Sequence, residues 1–145
     1  LLLLAYPKKN QYFFQLKDLA LSIGLQKNII FLENTPPPEI YWLADLVISF
    51  SKKETLSMVM LEALTCGRLF FSTHQSTKII LESISPLLYG KETQSVNALA
   101  NSVEQLFDLP SRQKQALTKN AVHLMQNYSW QKKSDLLMKE ILTLE

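Results

Sequence analysis

Glycine and cysteine are almost missing from this 145-residue chain, with three of the first and one of the second. Gly24, Gly67 and Gly90 lie far apart. No Gly-rich phosphate loop of the Rossmann-fingerprint or P-loop type can be written with them. A lone Cys66 excludes an internal disulfide framework and fits a reducing compartment, so a cytoplasmic location is expected. No cysteine–histidine cluster has metal-site spacing, and no metal or other cofactor is expected. The apolar run "LLLL" at the start is ended by Pro7, too short for a signal peptide or a membrane span. A basic surplus is also absent. The formal net charge is +2, and the lysines are spread along the chain without a basic run flanked by stacking aromatics. Nucleic acid is therefore not an expected partner. The chain opens without methionine, which suggests a piece of something longer.

What is present is ordinary globular composition: 47% apolar and 19% charged residues, enough for a buried core in one domain spanning 1–145. Short apolar runs alternate with helical patterns, the signature of an α/β fold with a parallel sheet. Leu1–Ala5 reads as a strand. Tyr12, Leu16, Leu19, Ala20 and Ile23 recur at helical spacing, and Gly24 supplies a C-cap. "NIIFLE" is the next strand; Pro36 to Pro38 then turn the chain stiffly into a short helix through Ile40–Leu43. Leu46–Phe50 is a strand, Thr55–Cys66 a helix closed by Gly67, and Leu69–Thr73 a fourth strand. Thr77–Ser83 reads as a short helix and Pro86–Tyr89 as a fifth strand. From Ser95 the pattern is helical to the end, broken at Pro110 and near Asn127–Ser129. Trp130, Leu137, Ile141 and Leu144 form one stripe of the last helix.

In open parallel sheets, ligands bind outside the carboxyl ends of the strands, here the loops after Phe31, Phe50, Thr73 and Tyr89. Ser51–Thr55 is the most polar of these and leads into the long helix. A helix N-terminus favours an anion such as a diphosphate, and Lys52 and Lys53 would add to that field. Two carboxylates stand out. Glu54 opens the segment, and Glu62 interrupts an otherwise apolar or small run from Met58 to Leu64, on or beside the buried face. A buried carboxylate needs hydrogen-bond partners. On a continuous helix the eight-residue spacing is about 12 Å. That is too far for the carboxylate pair of a retaining hydrolase, which needs about 5 Å. It suits a long ligand with hydroxyls at both ends and an anionic middle, the shape of a sugar nucleotide.

The order "IIFLE", "EIYWLADLVISFS", "ETLSMVMLEALTCG" and "YSW" resembles the C-terminal domain of retaining GT-B glycosyltransferases of family four. The pattern there runs through a strand ending Phe-Leu-Gly, an Ala-Asp-Val strand, Pro-Ser, and Glu-x7-Glu within a segment closed by Cys-Gly. The similarity is strongest from about Ile29 to Phe71 and returns at Tyr128–Trp130. It implies a Rossmann-like parallel sheet flanked by helices with a helical C-terminal tail, one half of a GT-B fold. It also implies transfer of a hexose from a nucleoside-diphosphate sugar, as in polysaccharide biosynthesis. Glu54 becomes the candidate catalytic residue, meeting the donor sugar's hydroxyls. Glu62 would meet the ribose, and backbone amides of Thr55, Leu56, Ser57 and Met58, with Ser51 nearby, would contact the diphosphate and sugar. An acceptor domain and an Arg/Lys diphosphate clamp would lie on chain before Leu1, with any peripheral membrane contact made through that acceptor half.

The sequence departs from the pattern at several positions. Thr55-Leu56-Ser57 stands where the family has Gly-Phe-Gly, and Phe50-Ser51 replaces Pro-Ser. The usual Gly-Gly is lost within "THQSTK", and the first strand ends "AYPKK" instead of Gly-x-Gly. These losses keep a second reading open: a non-catalytic GT-B-like binding or assembly module. Simpler assignments stand beside the sharper ones. Glu54 alone can be a helix-opening acid and Glu62 an exposed helix residue. His74 reads as a loop residue, His123 as structural, Cys66 as inert packing, and Trp42 and Trp130 as core or inter-helix anchors.

Overall fold

The computed structural model describes residues 2–5, 11–32, 36–51, 53–91, 94–129, 131–132, 134–135 and 138–139. The stripe expected through Trp130, Leu137, Ile141 and Leu144 lies outside these residues. The chain divides into two compact units, Leu1–Ala44 and Asp45–Glu145.

The first unit runs β1 (Leu2–Ala5), α1 (Gln11–Ser22), β2 (Ile29–Leu32) and α2 (Pro37–Leu43). β1 and β2 pair in parallel with Leu2 opposite Ile29 and Ala5 opposite Leu32, and α1 is the crossover such a pair requires. The apolar stripe of α1 is not the expected one. Phe13 and Ala20 are buried, whereas Tyr12, Leu19 and Ile23 are each more than half exposed. Consecutive helical residues are about 100° apart, so the run Tyr12-Phe13-Phe14 offers two rival stripes. Phe13 wins by packing edge-on against Phe31 of β2, centroids 5.2 Å apart. The Lys17 ammonium sits 4.8 Å from the Phe13 ring and 5.5 Å from that of Phe31, a cation–π arrangement. α1 ends as expected at Gly24, φ +74°. Gly24 N–H bonds to Leu21 C=O and Leu25 N–H to Ala20 C=O, the Schellman pattern that needs a left-handed residue. α2 begins at Pro37, whose missing N–H costs nothing at a helix start. Tyr41 is its buried aromatic. Trp42, expected as an anchor, is exposed.

The second unit runs β3 (Leu46–Ser49), α3 (Met58–Thr65), β4 (Leu69–Ser72), α4 (Lys78–Ile84), α5 (Val96–Asp108) and α6 (Ser111–Met125), with 3-10 turns at Gln75–Thr77, Pro86–Leu88 and Gln126–Tyr128. β3 and β4 are parallel, Leu46 opposite Leu69 and Ser49 opposite Ser72. All four residues of β4 are buried, beneath α3, α4 and α6. Met60, Ala63 and Leu64 of α3 join Phe70, Phe71, Leu81 and Leu88 in the core. A second Schellman end closes α3 at Gly67, φ +69°, with Gly67 N–H on Leu64 C=O and Arg68 N–H on Ala63 C=O.

The expected fifth strand is not formed. Pro86 has no N–H to give to a ladder and holds the preceding residue extended. Ser85 is extended accordingly, and its Oγ accepts the Leu87 N–H at 3.3 Å, starting a 3-10 turn instead. What survives of strand pairing is one parallel bridge between Tyr89 and Ser72. Gly90 follows with its N–H on Ser72 C=O. A Cβ there would lie 2.9 Å from both Phe71 Cζ and Leu99 Cδ2.

Candidate functional site

Parallel pairing aligns the carboxyl ends of β3 and β4 at Ser49 and Ser72. The loops 50–57 and 73–77 therefore leave from one edge, the edge at which parallel sheets bind ligands. In the first loop Ser51 is half-buried. Its N–H lies 3.4 Å from Ser49 Oγ, and its hydroxyl donates to Lys53 C=O at 3.3 Å. Lys53 is exposed; Lys52 lies outside the described residues. Glu54 is half-buried, Thr55 and Leu56 are exposed, and Ser57 is buried.

α3 starts later than expected. Ser57 is extended (φ −74°, ψ 98°) and acts as N-cap, its Oγ accepting the Met60 N–H at 3.3 Å. A hydroxyl at this position satisfies one of the orphan amides of the first turn and stops the helix from extending backward. Glu54 thus stands in the loop, three residues before the cap. The 12 Å helical spacing does not apply to the Glu54–Glu62 pair, whose separation is set by the path of the loop. The first intrahelical bond joins Leu61 N–H to Ser57 C=O. Met58, Val59 and Met60 N–H have no acceptor one turn back in the helix, and Ser57 Oγ takes that of Met60.

Glu62 needs a second correction. The buried arc of α3 is Met60, Ala63 and Leu64, and helix geometry puts Glu62 roughly 150° from its centre. Met58 and Val59, on the same side, are exposed, and Glu62 itself is half-buried. The carboxylate therefore interrupts the apolar run on the face turned away from the core.

His74, read from sequence as a loop residue, occupies a central place. Its Nε2 accepts the Glu54 N–H at 3.2 Å, across a sequence separation of 20. Ser76 Oγ is 2.9 Å from its Nδ1. The signal available in the sequence was the alternation Ser72-x-His74-x-Ser76, a histidine between hydroxyls at the exit of a strand. His123 is exposed in the last turn of α6, and Cys66 is the half-buried C-cap of α3.

A shallow groove of about 270 Å³ lies between α3 and α6, lined by Leu61, Val122, Met125 and Tyr128 among others. None of the described residues among 51–58 lines it. Among the described residues no group of three or more His, Cys, Asp or Glu is arranged to hold a metal ion. No described helix is long and apolar enough to cross a membrane.

Solved structures that share this fold include the following two. Sucrose-phosphate synthase from Thermosynechococcus elongatus superposes with a TM-score of 0.78 at 19% identity, over 99% of this chain and 39% of that one. WaaG, a glycosyltransferase involved in lipopolysaccharide biosynthesis, superposes with a TM-score of 0.75 at 22% identity, over 87% of this chain and 34% of that one. This chain thus spans little more than a third of either protein. No curated protein matches it. The α/β fold matches those of GT-B glycosyltransferases. The profile of the family described as glycosyl transferases group 1 matches residues 9–124, and the chain belongs to that family.

Proposed function

We propose that residues 1–145 are the donor-binding domain of a retaining glycosyltransferase. It would move a hexose from a nucleoside-diphosphate sugar to a glycan, lipid or other acceptor. The observation that carries this reading is the placement of the two glutamates. Glu54 lies in the loop at the carboxyl edge of β3–β4, and Glu62 little more than one turn into the helix that follows. A diphosphate lying over the start of α3 would meet Met58 and Val59 N–H and the loop amides of Thr55 to Ser57. The sugar would extend toward Glu54 and Ser51, and the ribose toward Glu62, whose carboxylate can accept from two hydroxyls.

Neither glutamate need form a covalent bond. In same-face transfer the acceptor hydroxyl attacks the anomeric carbon as the bond to the diphosphate oxygen breaks. The departing phosphate oxygen helps take the hydroxyl proton. The protein then supplies orientation of donor and acceptor and donors aimed at the charge growing on the leaving group. An N-terminal acceptor domain carrying a basic clamp would complete the site in the cytoplasm, and residues 1–145 alone would transfer no sugar.

Calorimetric titration of the full protein with UDP-glucose, ADP-glucose and GDP-mannose tests the reading. Binding of one of them, weakened at least about tenfold by Glu62→Ala, is the expected result. A wild-type protein that binds none would overturn it. Thr55 and Ser57, standing where two glycines would let phosphate approach, favour the second reading of a non-catalytic module, and that result would select it.

A further inference from the structure

We infer that His74 is a positioning residue for Glu54, a tether that fixes the backbone from which the carboxylate is presented to the donor sugar. The inference rests on the donor-site reading above. Every polar atom of His74 has a partner. Its N–H donates to Ser72 Oγ at 3.1 Å, and its C=O accepts from the Thr77 hydroxyl at 2.7 Å. Its Nδ1 lies 2.9 Å from Ser76 Oγ and 3.2 Å from Ser76 N. Its Nε2 accepts from Glu54 N–H. A ring nitrogen accepts only when it carries no proton, so the bond to Glu54 requires the tautomer protonated at Nδ1. Ser76 Oγ, the nearest acceptor to that proton, holds it. The 3.2 Å approach of Ser76 N–H to the same nitrogen serves the opposite tautomer.

The mechanical consequence is local. Loop 50–57 is pinned at Ser57 by the helix cap and at Glu54 by His74, while Thr55 and Leu56 between them are exposed. The anchor is firm on its own side, because His74 leaves the end of β4, a strand buried along its whole length. A carboxylate that orients a sugar must be held closely, since a displacement of about 1 Å can cost about a hundredfold in rate. The His74 tether transmits the rigidity of β4 to Glu54 without touching the donor.

Three substitutions separate this role from general support of the loop. His74→Gln keeps an acceptor as many bonds from the backbone as Nε2. His74→Asn keeps a polar amide at the place of Nδ1, within reach of Ser76 only, and His74→Ala keeps neither. In the full protein without ligand, amide hydrogen exchange at Glu54 should stay near wild type in the Gln variant. It should quicken at least about tenfold in the Asn and Ala variants. Titration with UDP-glucose, ADP-glucose and GDP-mannose, each against its bare nucleoside diphosphate, gives the second readout. The Asn variant should bind the sugar nucleotide about tenfold more weakly, and the bare diphosphate within about twofold of wild type, with the Gln variant restoring the difference. Unchanged exchange at Glu54 in the Asn variant, or equal loss of sugar-nucleotide affinity in Asn and Gln, overturns the tether while leaving the donor site standing. Failure of the wild type to bind any of the three donors overturns the donor site and the role of His74 together, whatever the exchange shows.

Discussion

In Leu1–Ala44 the second strand of the parallel pair, β2, is covered thinly: Ile30 is exposed, and Phe31 is half-buried against Phe13 of α1. In Asp45–Glu145 a pair of the same length and direction has its second strand buried at every residue, under three helices. Both second strands follow from the same strand–helix alternation, so the local pattern alone does not set the difference. A strand buried on both faces reads as a continuous apolar run, as "LFF" does. Its carboxyl end is then held on all sides, and the loop that leaves it can hold a side chain in place. The candidate site stands on the pair that contains the fully buried β4, with His74 two residues beyond it.

The largest expected effect tests that contrast directly. Phe71→Ala empties a fully buried position that packs edge-on against Phe50 at 6.1 Å and should cost about 3–5 kcal/mol. Ile30→Ala in the thinly covered β2 should cost about 1 kcal/mol. Denaturant titration of both variants decides, and equal costs would show that burial does not separate the two regions.

Next in size is the effect on binding. Glu62→Ala should weaken nucleoside-diphosphate binding by about 1.5–3 kcal/mol, the range for hydrogen bonds to a charged group. Glu54→Ala should spare the bare diphosphate and weaken only the sugar nucleotide. Calorimetry with both ligands separates the two carboxylates, and identical profiles would break the assignment of sugar to one and ribose to the other.

Two glycines sharpen the comparison further. Gly90→Ala must push its Cβ into Phe71 and Leu99 and should cost about 1–3 kcal/mol as overpacking. Gly24 has nothing within 4 Å of such a Cβ but holds φ +74°, so Gly24→Ala should cost about 1–2 kcal/mol through the backbone alone. Asparagine tells the causes apart: it tolerates the left-handed region, so Gly24→Asn should recover most of the loss while Gly90→Asn deepens it. Smallest is Ser57→Ala, which removes the α3 cap at about 1 kcal/mol, read as a fall in melting temperature.

Much of the fold was legible from residue order. Strand–helix alternation through β4, the glycine-closed helix ends at Gly24 and Gly67, and the proline-led entry into a short helix all rest on local chemistry; that helix opens at Pro37, three residues before the expected Ile40. The family pattern around Glu54, Ala44-Asp45 and Cys66-Gly67 was equally readable. The start of α3 was missed although Ser57 is a good N-cap residue, because the Glu-x7-Glu spacing drew the helix back to Thr55. The buried stripe of α1 was missed because three consecutive aromatics satisfy two stripes, and only Phe31 across the gap decides between them.

By itself, then, the sequence determined which segments through β4 are helices or strands and where glycine and proline end or open them, since these are energies of a few neighbouring residues. Tertiary structure alone decided that Glu62 lies away from the core side of α3 and that His74 reaches Glu54. Both depend on groups brought together from distant parts of the chain: the alternation Ser72-x-His74-x-Ser76 marks the histidine but not the loop amide 20 residues back that it meets.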